Sequence, residues 1–126
     1  MTFNALIFGH RLSGVSPTQF KQRYDKHISL IYNMTGAHFP LSHTRRYIQR
    51  PDGQNARVMA GSQQDIDFDV VAEIAFESED AYNKFYEILT EEENAKIIEE
   101  DEKDFFDRGR VRVVVLGETE VTEREV

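Results

Sequence analysis

Residues 16–36, SPTQFKQRYDKHISLIYNMTG, read as one helix whose start, stop and buried face are all written in the sequence. Ser16 suits the N-cap, Pro17 suits the first helical position, where its missing N–H would go unpaired anyway, and Gln19 can bond back to the cap. Gly36 offers a left-handed stop. Between these ends Phe20, Tyr24, His27, Ile31 and Met34 recur at the alternating spacing of a single helical face. His27 therefore sits inside an apolar stripe. An imidazole in that position is either a hydrogen-bonded structural group or a proton-transfer group in a cavity, since its ordinary pKa of about 6.5 suits both.

Working outward, residues 3–10 (FNALIFGH) form a short apolar run, with Leu6, Phe8 and His10 on one face and Phe3, Ala5 and Ile7 on the other. This predicts a strand buried on both sides, joined to the helix through the Ser13-Gly14 turn. Beyond the helix, residues 41–50 (LSHTRRYIQR) predict a second strand that presents His43, Arg45 and Tyr47 on one face. Residues 51–67 are polar and aperiodic, which in a compact domain marks either a lid-like loop or a plain flexible connection. Residues 68–76 alternate Phe68, Val70, Ala72, Ile74 and Phe76 against Asp69, Val71, Glu73 and Ala75, a strand whose apolar side should meet helices.

Ser78 then caps a helix with Tyr82, Phe85, Tyr86 and Leu89 as its buried face. Thr90 with Glu93 reads as a capping box opening a further helix that runs to Gly109, with Ala95, Ile98, Glu102 and Phe105 near one stripe and Asp101 beside it. Residues 110–118 give a last strand, and 119–126 a polar tail. The order of elements is that of a single α+β domain over residues 1–118: a ferredoxin-like β-α-β-β-α-β antiparallel sheet with helices on one face. The bare sheet face calls for cover, most simply a second copy, and Asp69 and Glu73 are expected to find partners within that homodimer.

Composition narrows the function. A net charge of -8 argues against nucleic acid, which needs clustered Lys and Arg. The chain has no cysteine, so disulfides and thiolate metal sites are out, and His38 and His43 lack the spacing of a zinc site. No Gly-rich phosphate loop follows a strand. No run approaches a membrane span and the N-terminus does not read as a signal peptide, so a cytoplasmic protein is expected. Asn33-Met34-Thr35 matches a glycosylation sequon without the context for its use.

Tyr24, His27 and Leu30 form a Tyr-x-x-His-x-x-Leu pattern, Asp69 and Glu73 an Asp-x-x-x-Glu strand, and Asp101, Glu102 and Phe105 an Asp-Glu-x-x-Phe pattern. Together with SHTRRYI and the order of elements, these resemble the EthD-like dimeric α+β barrel proteins over nearly the whole chain. Within that group the chain is similar to small fungal enzymes of aromatic polyketide assembly, the cofactor-free decarboxylases and dehydratases, with polyketide cyclases as more distant relatives.

The resemblance implies a lyase with no cofactor and no metal, acting on a small aromatic polyketide. It carries His27 over by its motif, His43 by its strand and His10 by its place at the end of the first strand. Eliminating water needs a base for an acidic α-proton and an acid for the leaving hydroxyl. Losing carbon dioxide needs a polarised carbonyl or ring and a proton for the carbanion. Two histidines or a His–Tyr pair, drawn from His27, His43, Tyr24 and His10, can serve either reaction.

Arg45 or Arg46 is expected to hold a carboxylate, with Tyr47 beside it, and Phe8, Phe20, Ile31, Tyr82, Phe85 and Phe105 to line a flat pocket. On the same fold, a haem oxygenase would need a histidine as axial ligand. A non-catalytic dimeric binding or stress-response module would make the four histidines incidental.

Overall fold

The computed structural model describes residues 2–125; Met1, and Val126 at the end of the expected tail, lie outside the described residues. Four strands, β1 (Phe3–Gly9), β2 (Ser42–Tyr47), β3 (Val70–Phe76) and β4 (Arg112–Val115), form an antiparallel sheet in the order β2-β3-β1-β4. Helices α1 (Pro17–Thr35), α2 (Glu79–Thr90) and α3 (Glu92–Glu102) cover one face. This is the ferredoxin-like α+β arrangement the pattern of elements predicts. Among the described residues no helix is long and apolar enough to cross a membrane.

The register fixes which side chains face the helices. Ala5 pairs with Ile74 and Ile7 with Ala72, while His43 and Arg45 of β2 lie opposite Ile74 and Ala72, so alternate residues of all three strands share the covered face. Ala5, Ile31, Ile74, Phe76 and Phe85 make one buried cluster there, and Phe20, Tyr24, Val70, Phe105 and Phe106 make a second at the other end of α1. Gly9 is the point of closest approach: a Cβ there would lie 2.8 Å from Val70 Cγ1 and 2.9 Å from Phe106 Cε1.

Helix α1 starts as expected. Ser16 accepts from the Gln19 backbone while the Gln19 side chain accepts from the Ser16 N–H, and Gly36 closes the helix at φ 55°. Ser78 caps α2 through the Ala81 N–H.

Other boundaries move. Thr90 is the last residue of α2, not a cap; its hydroxyl turns back to the carbonyls of Tyr86 and Glu87, and α3 follows an extended Glu91 with no side-chain cap. Helix α3 stops at Glu102, seven residues short of Gly109, because Phe105 and Phe106 must turn inward to fill the second cluster. Tyr86 is exposed, leaving Phe85 as the buried anchor of α2. Phe68 precedes β3 and packs its ring on Phe8 (5.1 Å), on the opposite side from the helices.

The polar groups expected to await a second copy have partners in their own chain. Asp69, only 7% exposed, accepts from Arg50 Nε (2.8 Å) and the Arg11 backbone (2.9 Å). Glu73 accepts from Asn4 Nδ2 (3.0 Å). Residues 51–67 are also tied down. Gln63 bonds both backbone groups of a buried Ala56, Arg57 N donates to Gln49 O, and Arg11 and Arg50 donate to the carbonyls of Gly53 and Gln54.

Candidate active site

Between the covered face of the sheet and the helices lies a cavity of about 260 Å³. Its walls are aliphatic and aromatic: Ile7, Ile74 and Val113 from the sheet, Ile28 and Ile31 from α1, Phe85 and Leu89 from α2, Ile98 from α3, and Phe106. Five groups interrupt this lining with polar atoms: Tyr24, His27, His43, Glu102 and Arg108. None of residues 51–67 borders it, so that segment is no lid over this site.

His27 reaches the cavity because it shares the buried stripe of α1 with Phe20, Tyr24 and Ile31. Both ring nitrogens are gripped from the last turn of α3, where neighbouring residues point about 100° apart. Nδ1 lies 2.6 Å from Asp101 Oδ2 and Nε2 lies 3.3 Å from Glu102 Oε2. Glu102 lines the cavity and Asp101 does not, so Nε2 is the nitrogen nearer the enclosed space. Burial pushes the imidazole toward neutrality, but the hydrogen bonds and charges of Glu102 and Asp101 outweigh it and hold the pKa above its ordinary value. The other oxygen of Glu102 accepts from Arg108 at 2.7 Å.

His43 is driven the opposite way. Burial first and the Arg45 guanidinium second push its pKa down to about 4, so at neutral pH the ring is uncharged. Arg45 NH1 lies 3.4 Å from His43 Nδ1. Tyr24 stands between the two histidines, its ring centroid 6.3 Å from that of His27 and 6.2 Å from that of His43. Burial raises the Tyr24 pKa well above its ordinary value, so its hydroxyl stays protonated.

Of the residues expected at the site, His27, His43, Tyr24, Ile31 and Phe85 come together around the cavity. Arg45 and Tyr47 do not line it: Asp25 Oδ1 accepts from Arg45 Nε (2.9 Å) and from the Tyr47 hydroxyl (2.5 Å). Arg45 instead borders an adjoining outer cleft that shares His43 and Ile28 with the cavity. Arg46, 64% exposed, reaches toward Glu73 on the other sheet face. Phe20 and Phe105 are buried in the cluster behind Tyr24, and Tyr82 packs on Phe3 and Phe76.

Phe8 and His10 lie away from the cavity. Phe8 stands on the uncovered face. His10 is enclosed beside Asp67 and Arg112, with Nδ1 unpartnered. Sequence reasoning missed the grip of Asp101 and Glu102 on His27, for which the Asp-Glu-x-x-Phe pattern was a signal, and Arg108, for which nothing was. Among the described residues no cluster of three or more His, Cys, Asp or Glu side chains is placed to hold a metal.

The EthD domain family matches residues 12–109, the stretch that holds α1, His27, His43 and both carboxylates. The chain belongs to the EthD domain family. No curated protein matches it in sequence. Several solved structures share its fold at low identity. At3g17210 from Arabidopsis thaliana is 16% identical, with a TM-score of 0.58 over 96% of this chain and 99% of that one.

A dimeric ferredoxin-like protein of Thermobifida fusca is 10% identical, with a TM-score of 0.55 over 92% and 90%. SnoaB, a cofactor-independent oxygenase from Streptomyces nogalater, is 11% identical, with a TM-score of 0.51 over 98% and 96%. At these identities the likeness of this EthD protein to them is one of fold.

Proposed function

We propose that this EthD protein is a cofactor-free lyase, a dehydratase or decarboxylase of an aromatic polyketide intermediate, in which His27 carries the proton. One observation supports this above others. Two imidazoles border the same apolar cavity in surroundings that push their protonation in opposite directions, the arrangement that separates acid and base roles.

The guanidinium of Arg45 can only donate, so a bond to His43 Nδ1 leaves the ring proton on Nε2. A neutral imidazole of that kind is a hydrogen-bond donor for a substrate carbonyl as it gains enolate charge. Asp101 orients His27 through Nδ1, as the carboxylate of a catalytic triad does.

In a dehydration, neutral His27 takes the α-proton, and the electron pair left behind forms the new double bond as the β-C–O bond breaks. The imidazolium then returns its proton to the departing hydroxyl, giving water. In a decarboxylation, the pair of the C–CO2 bond passes into the carbonyl or ring, and imidazolium His27 protonates the carbanion carbon. Either product is conjugated or aromatic, which supplies driving force without a cofactor. SnoaB is described as cofactor-independent, a precedent on this fold.

The homodimer belongs to the same reading: Leu6, Phe8, Val71 and Val114 make the uncovered sheet face largely apolar, and a second copy would cover it. The two reactions need opposite forms of His27, so the pH profile of turnover tells them apart. Dehydration should rise with pH through a value above 6.5, where His27 loses its proton, and decarboxylation should fall across the same range. Incubation with a β-hydroxy ketone and an o-hydroxyaryl acid of polyketide type, following release of water or carbon dioxide, measures both. A folded His27→Gln protein with full turnover overturns the proposal.

A further inference from the structure

Resting on that reading, we infer that Arg108 anchors the ligand, and that the ligand class is a planar aromatic molecule bearing an ionised carboxyl group. Among the described residues lining the cavity, Arg108 is the single Arg or Lys and Glu102 the single carboxylate. All other walls are apolar, tyrosine or histidine. A ligand with a formal negative charge therefore meets one guanidinium in this space.

The position of Arg108 is well fixed although its side chain is 48% exposed. Phe105 and Phe106 are driven into the core, and the next residue is tied by Asp107 N to His10 O at 2.8 Å, which sets Arg108 at the cavity rim. Among the described residues its partner is Glu102 Oε1, which accepts from NH1 at 2.7 Å. An ion pair at that exposure gives up little when it is exchanged. The rest of the guanidinium fork remains open to a carboxylate, for which its planar donors are matched.

The other arginines near the fold are held elsewhere. Arg45 is bound to Asp25, Arg46 lies across the sheet, and Arg110 and Arg112 pair with Asp67. Among the described residues, only Arg108 combines a place on the cavity with guanidinium donors left over. The chemistry is consistent with the exchange: a ligand carboxylate on Arg108 frees Glu102 Oε1 while Glu102 Oε2 stays beside His27 Nε2.

Calorimetric titration of 2-naphthoate and of 2-naphthamide, the uncharged isostere, tests this on the full chain. Wild type is expected to bind the acid at least about tenfold more tightly than the amide, a preference that weakens with salt. Arg108→Gln should abolish the preference, and Arg108→Lys, which keeps the charge without the fork, should retain part of it. The double variant Arg108→Gln/Glu102→Gln separates anchoring from repulsion, since an anchor requires that removing Glu102 not restore the preference.

Equal binding of acid and amide to wild type, a preference that survives in Arg108→Gln or returns in the double variant, or no binding of either compound would each overturn the assignment. Because binding is read without turnover, failure here leaves the pH and His27→Gln results to judge the acid–base reading separately.

Discussion

Two enclosed histidines, His27 at 4% exposure and His10 at 1%, each lie within reach of a carboxylate, yet their protonation is pushed opposite ways. Among the described residues, Asp101 and Glu102 between them hold one cation besides His27, Arg108 on Glu102, so their charge remains to stabilise an imidazolium. Asp67 is shared with Arg110 and Arg112, and His10 meets their positive charge along with it. Burial is the largest influence on His10 and the arginines reinforce it, so His10 stays below its ordinary pKa. Proximity to a carboxylate says little by itself; what counts is whether that carboxylate already belongs to someone else.

The sharpest way to break the comparison is to exchange each histidine for glutamine. His27→Gln should lower turnover by roughly 100-fold or more, the scale of acid–base catalysis, while His10→Gln stays within about twofold of wild type. Equal losses in steady-state assays would put both histidines, or neither, in the chemistry. Removing one charge from each pair comes next. Asp101→Asn should lower the His27 pKa read by NMR titration and cost roughly tenfold in turnover, and Asp67→Asn should leave turnover as it was.

Gly9→Ala addresses the wall between the two regions. Its new methyl must displace Val70 and Phe106 side chains, and a loss of about 1–3 kcal/mol in denaturant unfolding is expected, with the His10 titration unmoved.

The smallest effect is a tilt in stability with pH. The raised pKa of His27 gives a contribution fully present below about 6.5 and lost as pH rises through its folded value. The lowered pKa of His10 gives one present above about 6.5 and lost as pH falls. The penalty of His27→Gln should therefore shrink toward alkaline pH and that of His10→Gln toward acid, as thermal melts at several pH values would show.

Sequence made legible what short-range chemistry decides. The Ser16–Gln19 box, the Gly36 stop and the period of β3 each depend on residues a few positions apart. Thr90 misled because a serine- or threonine-type cap and a threonine in a last helical turn look alike until the backbone breaks, and here it breaks at Glu91.

The grip on His27 joins residues 74 apart, so the Asp-Glu-x-x-Phe pattern marks the two carboxylates without naming their partner. The alternation of β2 puts Arg45 and Tyr47 on the same face as His43, but Asp25, on the neighbouring helix, takes both, and that competition is settled in three dimensions. The place of His10 was already in the alternation of β1, which sets it with Leu6 and Phe8, away from Ile7 and the helices.

Residues 51–67 show how the scaffold divides its labour. The segment closes on itself through Gln63 and Ala56, leans on Arg11 and Arg50, and touches no wall of the cavity. Doubling the length of such a loop costs only about 0.6 kcal/mol in closure entropy. The consequence is evolutionary: residues 51–66, though not Asp67, which holds Arg110 and Arg112, leave a lineage room to gain, lose or rewrite residues while the acid–base groups stay in place.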